Sequence, residues 1–414
     1  MSVKKATKKI LFVGAYPPPY GGIASHLYDL LPQLVKNNYE VVSLTQSLET
    51  RVISSLGMKN IFVNFRKTLL RNLLALIFAA VRYYKEKKDL SWREYLRAII
   101  LSLNISATIK QEKISAVFLY SITTGMAVPI LKKMINNSCP IVLMIFGAFY
   151  LEPNKYKRIS RYLFNVFEQC GEILSSSAYC ARSISAVLSD DFPVKVVYVG
   201  VDDHVYSPNK TGDQLRSELG IPKEAIVFLF FGRMNKNMGL DFLLKKAKDI
   251  IAVHQDSCLI IAGAQSTLSF KAQELAQKYP KIKYCPDVSF YLKPAYYAAC
   301  DVFFAPTMQC HACMGVSIKE AMACAKPVIA SWSGGIPEAI EDGVNGYLIP
   351  IINGELDEKV FMERITYLFH QPLLRVEMGI KGREKLVENY SNEKTTQRYL
   401  DILNVLTKKQ RDGN

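Results

Sequence analysis

The stretch from Ala305 to Pro350, APTMQCHACMGVSIKEAMACAKPVIASWSGGIPEAIEDGVNGYLIP, constrains the fold more than any other part of the chain. A strand end at Phe303 to Pro306 leads into a loop and then a short helix through Ser317 to Cys324. A buried strand from Pro327 to Ala330 follows, and a Gly-Gly loop opens another helix at Ile336. Short apolar strands that alternate with helices belong in a parallel sheet covered on both faces. Two helix starts are thereby expected to face one cleft.

A helix start preceded by glycines presents free backbone N–H groups and the positive end of its dipole. Ser333, Gly334 and Gly335 therefore suit an anion such as a phosphate. Glu320, near the start of its own helix, offers a carboxylate to the hydroxyls of a ribose. Ribose and phosphate together make a nucleotide. A plainer reading stands beside each feature: Gly-Gly before a helix serves as a turn that needs positive φ, and a glutamate in a first turn complements the dipole.

The run GVSIKEAMACAKPVIASWSGGIPEAIEDGVNGYLI resembles the donor-site signature of the retaining, family 4 type glycosyltransferases of the GT-B fold. In that family an EAMA segment, a PV(I/V)A strand, a GG-x-PE loop and a G-x-NG(Y/F)L strand follow in that order. The resemblance implies an α/β protein of two doubly wound Rossmann-like domains facing an interdomain cleft. It covers nearly the whole chain, tightly after Phe228 and loosely before. It also implies a nucleotide-sugar donor as substrate, with no cofactor and no metal ion, and the absence of an Asp-x-Asp pair agrees with the latter.

Along the chain, Ile10 to Gly14 is a buried strand of the parallel type. It enters AYPPPYGGIASHL, where Gly21 and Gly22 open a helix through Leu34, and Tyr39 to Leu44 is the next strand. The same glycine pair occurs at this place in the family, near the diphosphate and the acceptor, whereas on residues alone it is equally a plain βα turn. Strands are expected at Ala116 to Tyr120 and Ile141 to Ile145, and a helix at Tyr156 to Gln169. The VGVD step before Tyr206-Ser207-Pro208 resembles the family's passage between domains. This gives residues 1–205 as an acceptor-side domain, 206–390 as a donor domain, and 391–414 as a helix crossing back to the first. In the donor domain, strands are expected at Ile226 to Phe231, Cys258 to Ala262, Ile282 to Tyr284 and Val302 to Ala305, and helices from Leu240 and over Asn392 to Leu406.

Charge is distributed unevenly. Of the formal +15, residues 1–200 supply 26 Lys and Arg against 12 Asp and Glu, and residues 201–414 supply 26 against 25. Arg51 to Lys113 alone holds 13 basic and 4 acidic residues. Such a surplus points to an anionic partner. Neither a zinc finger, an RNP-like strand nor a DNA-reading basic helix is present, so nucleic acid is excluded in favour of a membrane surface or a lipid-phosphate acceptor. A long helical section from Phe65 to Ile109 carries Leu69, Leu70, Leu73, Leu74, Ile77, Phe78 and Val81 at helical spacing among basic residues. Two readings are open: an interfacial membrane element, each basic residue near the surface contributing about 1 kcal/mol, or a core helix with a solvated basic face. The nine cysteines are odd in number and dispersed, which indicates free thiols. Cys310 and Cys313 lack a second ligand pair and are not read as a zinc site. The first apolar run is stopped by Pro17, Pro18 and Pro19 and is a strand, not a signal peptide. No transmembrane helix is needed, and a cytoplasmic protein, peripheral on the inner face of the cell membrane, is expected.

Carried over residue by residue, the resemblance assigns Arg233 to the diphosphate, Glu320 to the ribose, and Gly315, Val316, Ser333, Gly334 and Gly335 to the donor site. Three positions depart from it. The family lysine before a glycine is Met238 ahead of Gly239, with Lys236 as nearest substitute. The first glutamate of the Glu-x7-Glu pair is Ala312, with His311 adjacent. The histidine after the strand IVLMIF is Phe146, followed by Gly147. Arg233, Lys236 and His311 are the catalytic candidates. The expected activity is hexosyl transfer from a nucleotide sugar to a lipid-linked or polysaccharide acceptor. A silent subunit that binds a glycan or a partner glycosyltransferase is the alternative, and an epimerase on the same fold a third reading.

Overall fold

The computed structural model describes residues 8–14, 22–45, 58–62, 91–136, 139–147, 153–188, 192–308 and 313–412. The chain divides into two compact units, one made of residues 1–198 with 395–414 and the other of 199–394. Each is built on a parallel sheet.

In the first unit the seven strands are β1 Lys9–Val13, β2 Glu40–Thr45, β3 Lys59–Phe62, β4 Ala116–Tyr120, β5 Ile141–Ile145, β6 Glu172–Ser175 and β7 Lys195–Val196. They lie in the order β3-β2-β1-β4-β5-β6-β7, all parallel. Every residue of β4 and β5 is buried, as continuous apolar strands covered on both faces require. The order reverses direction at β1 and β4, where Phe12 stacks on Phe118 with ring centroids 5.0 Å apart.

The expected helical section from Phe65 to Ile109 is described only in its second half. There a separate helix, Trp92–Glu112, starts at a capping box formed by Ser91 and Glu94 and stops at Lys113, whose φ is 54°. Tyr95, Ala98, Ile99, Ile105 and Ile109 enter the core, so this half is a core helix. Residues 63–90, with the apolar and basic run proposed for a membrane, lie outside the described residues. Among those described, no helix is long and apolar enough to cross a membrane.

The helix Asn392–Asp412 belongs to the first unit from Thr395 onward. Its Tyr399, Ile402, Leu403 and Leu406 pack on Phe12, Leu27 and Phe118. At the centre the Tyr120 hydroxyl donates to that of Tyr399 at 2.8 Å, and Tyr399 lies 3.0 Å from His26 Nε2. Burial holds both hydroxyls above the usual tyrosine range, so both stay protonated and able to donate. Tyr399 and His26 Nε2 share a hydrogen bond whose direction follows the imidazole tautomer. Removing the shared hydroxyl with Tyr399→Phe is expected to destabilise the first unit by about 1–3 kcal/mol, read by urea unfolding. A variant as stable as the parent would show that the hydroxyls contribute nothing net.

The second unit repeats the design. The strands of its main sheet are β8 Ile226–Phe231, β9 Ser257–Gly263, β10 Ile282–Pro286, β11 Val302–Ala305, β12 Val328–Ser331 and β13 Gly346–Ile349, in the order β10-β9-β8-β11-β12-β13, all parallel. Phe228 stacks on Phe304 across the reversing pair β8 and β11 at 5.2 Å. Residues 199–205 side with this unit through local bonds. The Val201 N–H donates to the Tyr390 carbonyl, and the buried Lys319 ammonium donates to the carbonyl of Val199.

Candidate functional site

Ligands of doubly wound sheets bind at the carboxyl ends of the strands, where the strand order reverses. In the second unit that place is the end of β8 and β11. Strand β8 ends at Phe231 and continues as Gly232 and Arg233, and Arg233 is exposed. Among the described residues nothing bonds its guanidinium, so a cation with five donors stands unspent there.

A 3₁₀ turn, Lys236–Met238, follows, its start capped by the Asn235 side chain accepting from the Met238 N–H at 3.1 Å. Lys236 is exposed. Met238 is half-buried against the apolar core of the second unit, so the place where a lysine was expected belongs to apolar packing. The turn ends at Gly239, with φ 75°. It is held to the end of β11 by Thr307, whose hydroxyl donates to the Asn237 carbonyl at 2.9 Å. The Ser331 hydroxyl of β12 donates in turn to the Thr307 carbonyl at 2.5 Å. Arg233, Lys236 and the ends of β11 and β12 thus form one connected edge.

The helix Val316–Ala323 starts at Gly315, which is exposed with φ 73°, and no side chain caps it. Its first-turn N–H groups and dipole are available to an anion. The second expected helix start, at Ser333, Gly334 and Gly335, is shorter and partly spent on local bonds. The helix there, Ile336–Ala339, is a single turn of four residues, too short for aligned peptide dipoles to add up. The Gly335 N–H donates to the Cys313 carbonyl, the Ile336 N–H to that of Ser333, and Pro337 has none. Gly334, with φ 55°, keeps one unspent N–H among the described residues. Ser333 is 5% exposed, and among the described residues its hydroxyl has no partner.

Glu320 is 2% exposed and already engaged. Lys293 Nζ lies 2.5 Å from its Oε1, and the Tyr297 hydroxyl donates to its Oε2 at 2.6 Å. Burial, and then the adjoining carboxylate, hold the Tyr297 hydroxyl well above the usual tyrosine range, so it remains a donor. Lys293 Nζ lies 5.5 Å from the ring centroids of both Phe231 and Phe290. Sequence reading missed Lys293 and Tyr297. Their one sequence signal is the aromatic and basic run FYLKPAYY after β10, because the partner carboxylate stands 27 residues away.

Of the other candidates, His311, Ala312 and Gly21 lie outside the described residues. Gly22 is the exposed first residue of the helix Gly22–Lys36 in the first unit. Phe146, where a histidine was expected, packs against His26 and Tyr120, ring centroids 6.0 Å from each.

Residues 225–371 match the family model described as Glycosyl transferases group 1. Spore coat protein SA of Bacillus subtilis is 30% identical over 250 residues, 57% of this chain and 65% of that protein. Alpha-maltose-1-phosphate synthase of Mycolicibacterium smegmatis is 29% identical over 224 residues, 50% of this chain and 56% of that enzyme. The chain therefore spans less than two thirds of the length of either curated relative. Among solved structures, HepE of Anabaena in complex with UDP superimposes with a TM-score of 0.73 at 17% identity, covering 96% of this chain and 100% of that one. Such superpositions establish the fold as GT-B.

Proposed function

We propose that this chain, which carries a glycosyl transferases group 1 domain on a GT-B fold, is a glycosyltransferase. It moves a sugar from a nucleotide donor to a lipid-linked or cell-surface polysaccharide acceptor, with retention and without a metal ion. The observation that carries the reading is the guanidinium of Arg233, which nothing bonds among the described residues, at the carboxyl end of β8 on the edge that also holds Lys236. As the bond from the anomeric carbon to the diphosphate breaks, negative charge builds on the leaving oxygens. Cationic donors fixed beforehand stabilise that charge more than they stabilise the ground state. Arg233, Lys236 and the helix start at Gly315 and Val316 supply them. With retention, the donor's own phosphate oxygen accepts the proton of the attacking hydroxyl on the face the leaving group departs from.

The basic surplus of residues 1–200 supports an acceptor that carries phosphate or lies at an anionic membrane surface on the cytoplasmic side. The half-buried Met238 and the aromatic packing of Phe146 favour a second reading, a subunit that binds a nucleotide or glycan without transfer.

Isothermal calorimetry against UDP, GDP and ADP, with and without magnesium, tests the proposal. One nucleotide is expected to bind without magnesium, and Arg233→Ala to weaken it about ten- to a hundredfold, the value of a charged hydrogen bond. Binding without sugar transfer to any lipid-phosphate acceptor would favour the subunit reading. No binding to any nucleotide would sink both donor-site readings.

A further inference from the structure

We infer that the outer edge of β7, with the two clefts that flank it, docks an extended acidic segment of a partner protein as one more strand of the first sheet. β7 stands last in that sheet, so among the described residues one of its sides has no neighbouring strand. The Val197 N–H turns toward β6 and donates to the Ser175 carbonyl at 2.8 Å. By the alternation of a strand, the N–H and C=O of Val196 turn the other way, and among the described residues nothing bonds them. An unspent donor and acceptor side by side on a strand edge are matched by another extended backbone.

The clefts supply the side-chain contacts. On one face, Val194 and Val196 meet the helix Ala178–Leu188 and, with Ala178, Ala181, Arg182 and Phe192, line a cleft of about 470 Å³. The wall at Phe192 is fixed: its ring meets those of Phe164 and Phe167 at 6.5 and 6.2 Å, and its carbonyl accepts from the Ser185 hydroxyl at 3.1 Å. On the other face, Lys195 and Val197 meet the helix Asn392–Asp412 and, with Arg398, Asp401, Ile402 and Val405, line a cleft of about 350 Å³. Successive side chains of a strand point to opposite faces, so one added strand fills both clefts in turn.

Charge decides which strand fits. Of the four charged side chains that line the clefts, Arg182, Lys195 and Arg398 are cationic and Asp401 is anionic. Lys195 pairs with Glu172 at 2.9 Å and Arg398 lies over the ring of Tyr198, whereas among the described residues nothing bonds Arg182. Carboxylates among aliphatic residues complement this surface. A second copy of β7 would instead bring the same cations face to face.

Fluorescence anisotropy on the full chain tests the inference with three labelled peptides. EVVDVVE is the probe, KVVKVVK reverses its charge, and EVVDVVE N-methylated at alternate residues keeps the side chains but loses backbone donors. The first is expected to bind, and each of the others to bind about tenfold more weakly or worse. Val196→Pro removes the outward N–H and leaves the bond from Val197 to Ser175, a place where an edge strand tolerates proline. It should weaken EVVDVVE about tenfold with an unchanged urea midpoint. If the midpoint falls, Arg182→Glu on an exposed side chain carries the test, with about a three- to tenfold loss expected. The inference is overturned if EVVDVVE does not bind saturably, if the three peptides bind alike, or if both variants bind it as the parent does. A dimer that Val196→Pro dissociates in analytical ultracentrifugation would put a second copy on this edge and overturn it equally.

Discussion

Glu320→Ala is expected to lower the stability of the second unit by about 3–5 kcal/mol, the cost of breaking a buried ion pair from one side. The alanine strands the Lys293 ammonium between Phe231 and Phe290. It also removes the acceptor of the Tyr297 hydroxyl, a side chain with no exposed surface. Urea unfolding of the full chain measures the loss. The neutral pair Lys293→Met with Glu320→Gln should restore most of it, because desolvating two charges offsets much of what their attraction supplies. A loss below about 1 kcal/mol would mean that the ammonium swings out to water and that the pair behaves as a surface salt bridge.

Gly239→Ala is the second large effect. A Cβ at this position would stand 1.7 Å from the Pro306 carbonyl oxygen, and φ is 75°. The strain of a non-glycine residue there is about 1–3 kcal/mol, and the overlap with fixed backbone adds to it. A total of about 3 kcal/mol or more is expected. The chain can relieve the overlap only by moving the Lys236–Met238 turn away from the end of β11, which breaks the bond from Thr307 to Asn237. Nucleotide affinity should therefore fall together with the unfolding midpoint. A variant with parental stability would show that the turn yields freely and does not hold Lys236 in place.

Much of the fold was legible because parallel strands buried on both faces write themselves as unbroken apolar runs. AVFLY, IVLMI and IVFLFF were bounded to the residue, and the other expected strands lay within two residues of those observed. What escaped were two short strands toward the outside of the first sheet. Lys59–Phe62 and Glu172–Ser175 are four-residue strands with polar or charged ends, and nothing local separates them from loop. The helix after Gly335 was read with the right start but without its length. A four-residue turn and a long helix begin with the same signals, and Pro337 fits either.

The site was legible to a lesser degree. Arg233 lies at the strand end where its motif sets it, because three residues of backbone tie it to β8. Met238 was readable as a departure, but its burial against the core was not. The network of His26, Tyr120 and Tyr399 joins residues up to 373 positions apart, and no periodicity reveals it.

The sequence by itself determined two parallel α/β sheets, the chemistry of the edge where Arg233 stands, and the basic bias of the first 200 residues. Each is a property of neighbours along the chain: apolar runs, glycines before helices, and charge counts. Tertiary structure alone decided which polar groups are spent and which are free. Glu320 accepts from Lys293 and Tyr297, Gly335 donates to Cys313, and among the described residues nothing bonds the guanidinium of Arg233. A hydrogen bond acts over about 3 Å, whatever the separation along the chain. Whether a donor or acceptor remains available to a ligand is therefore settled only when distant segments meet.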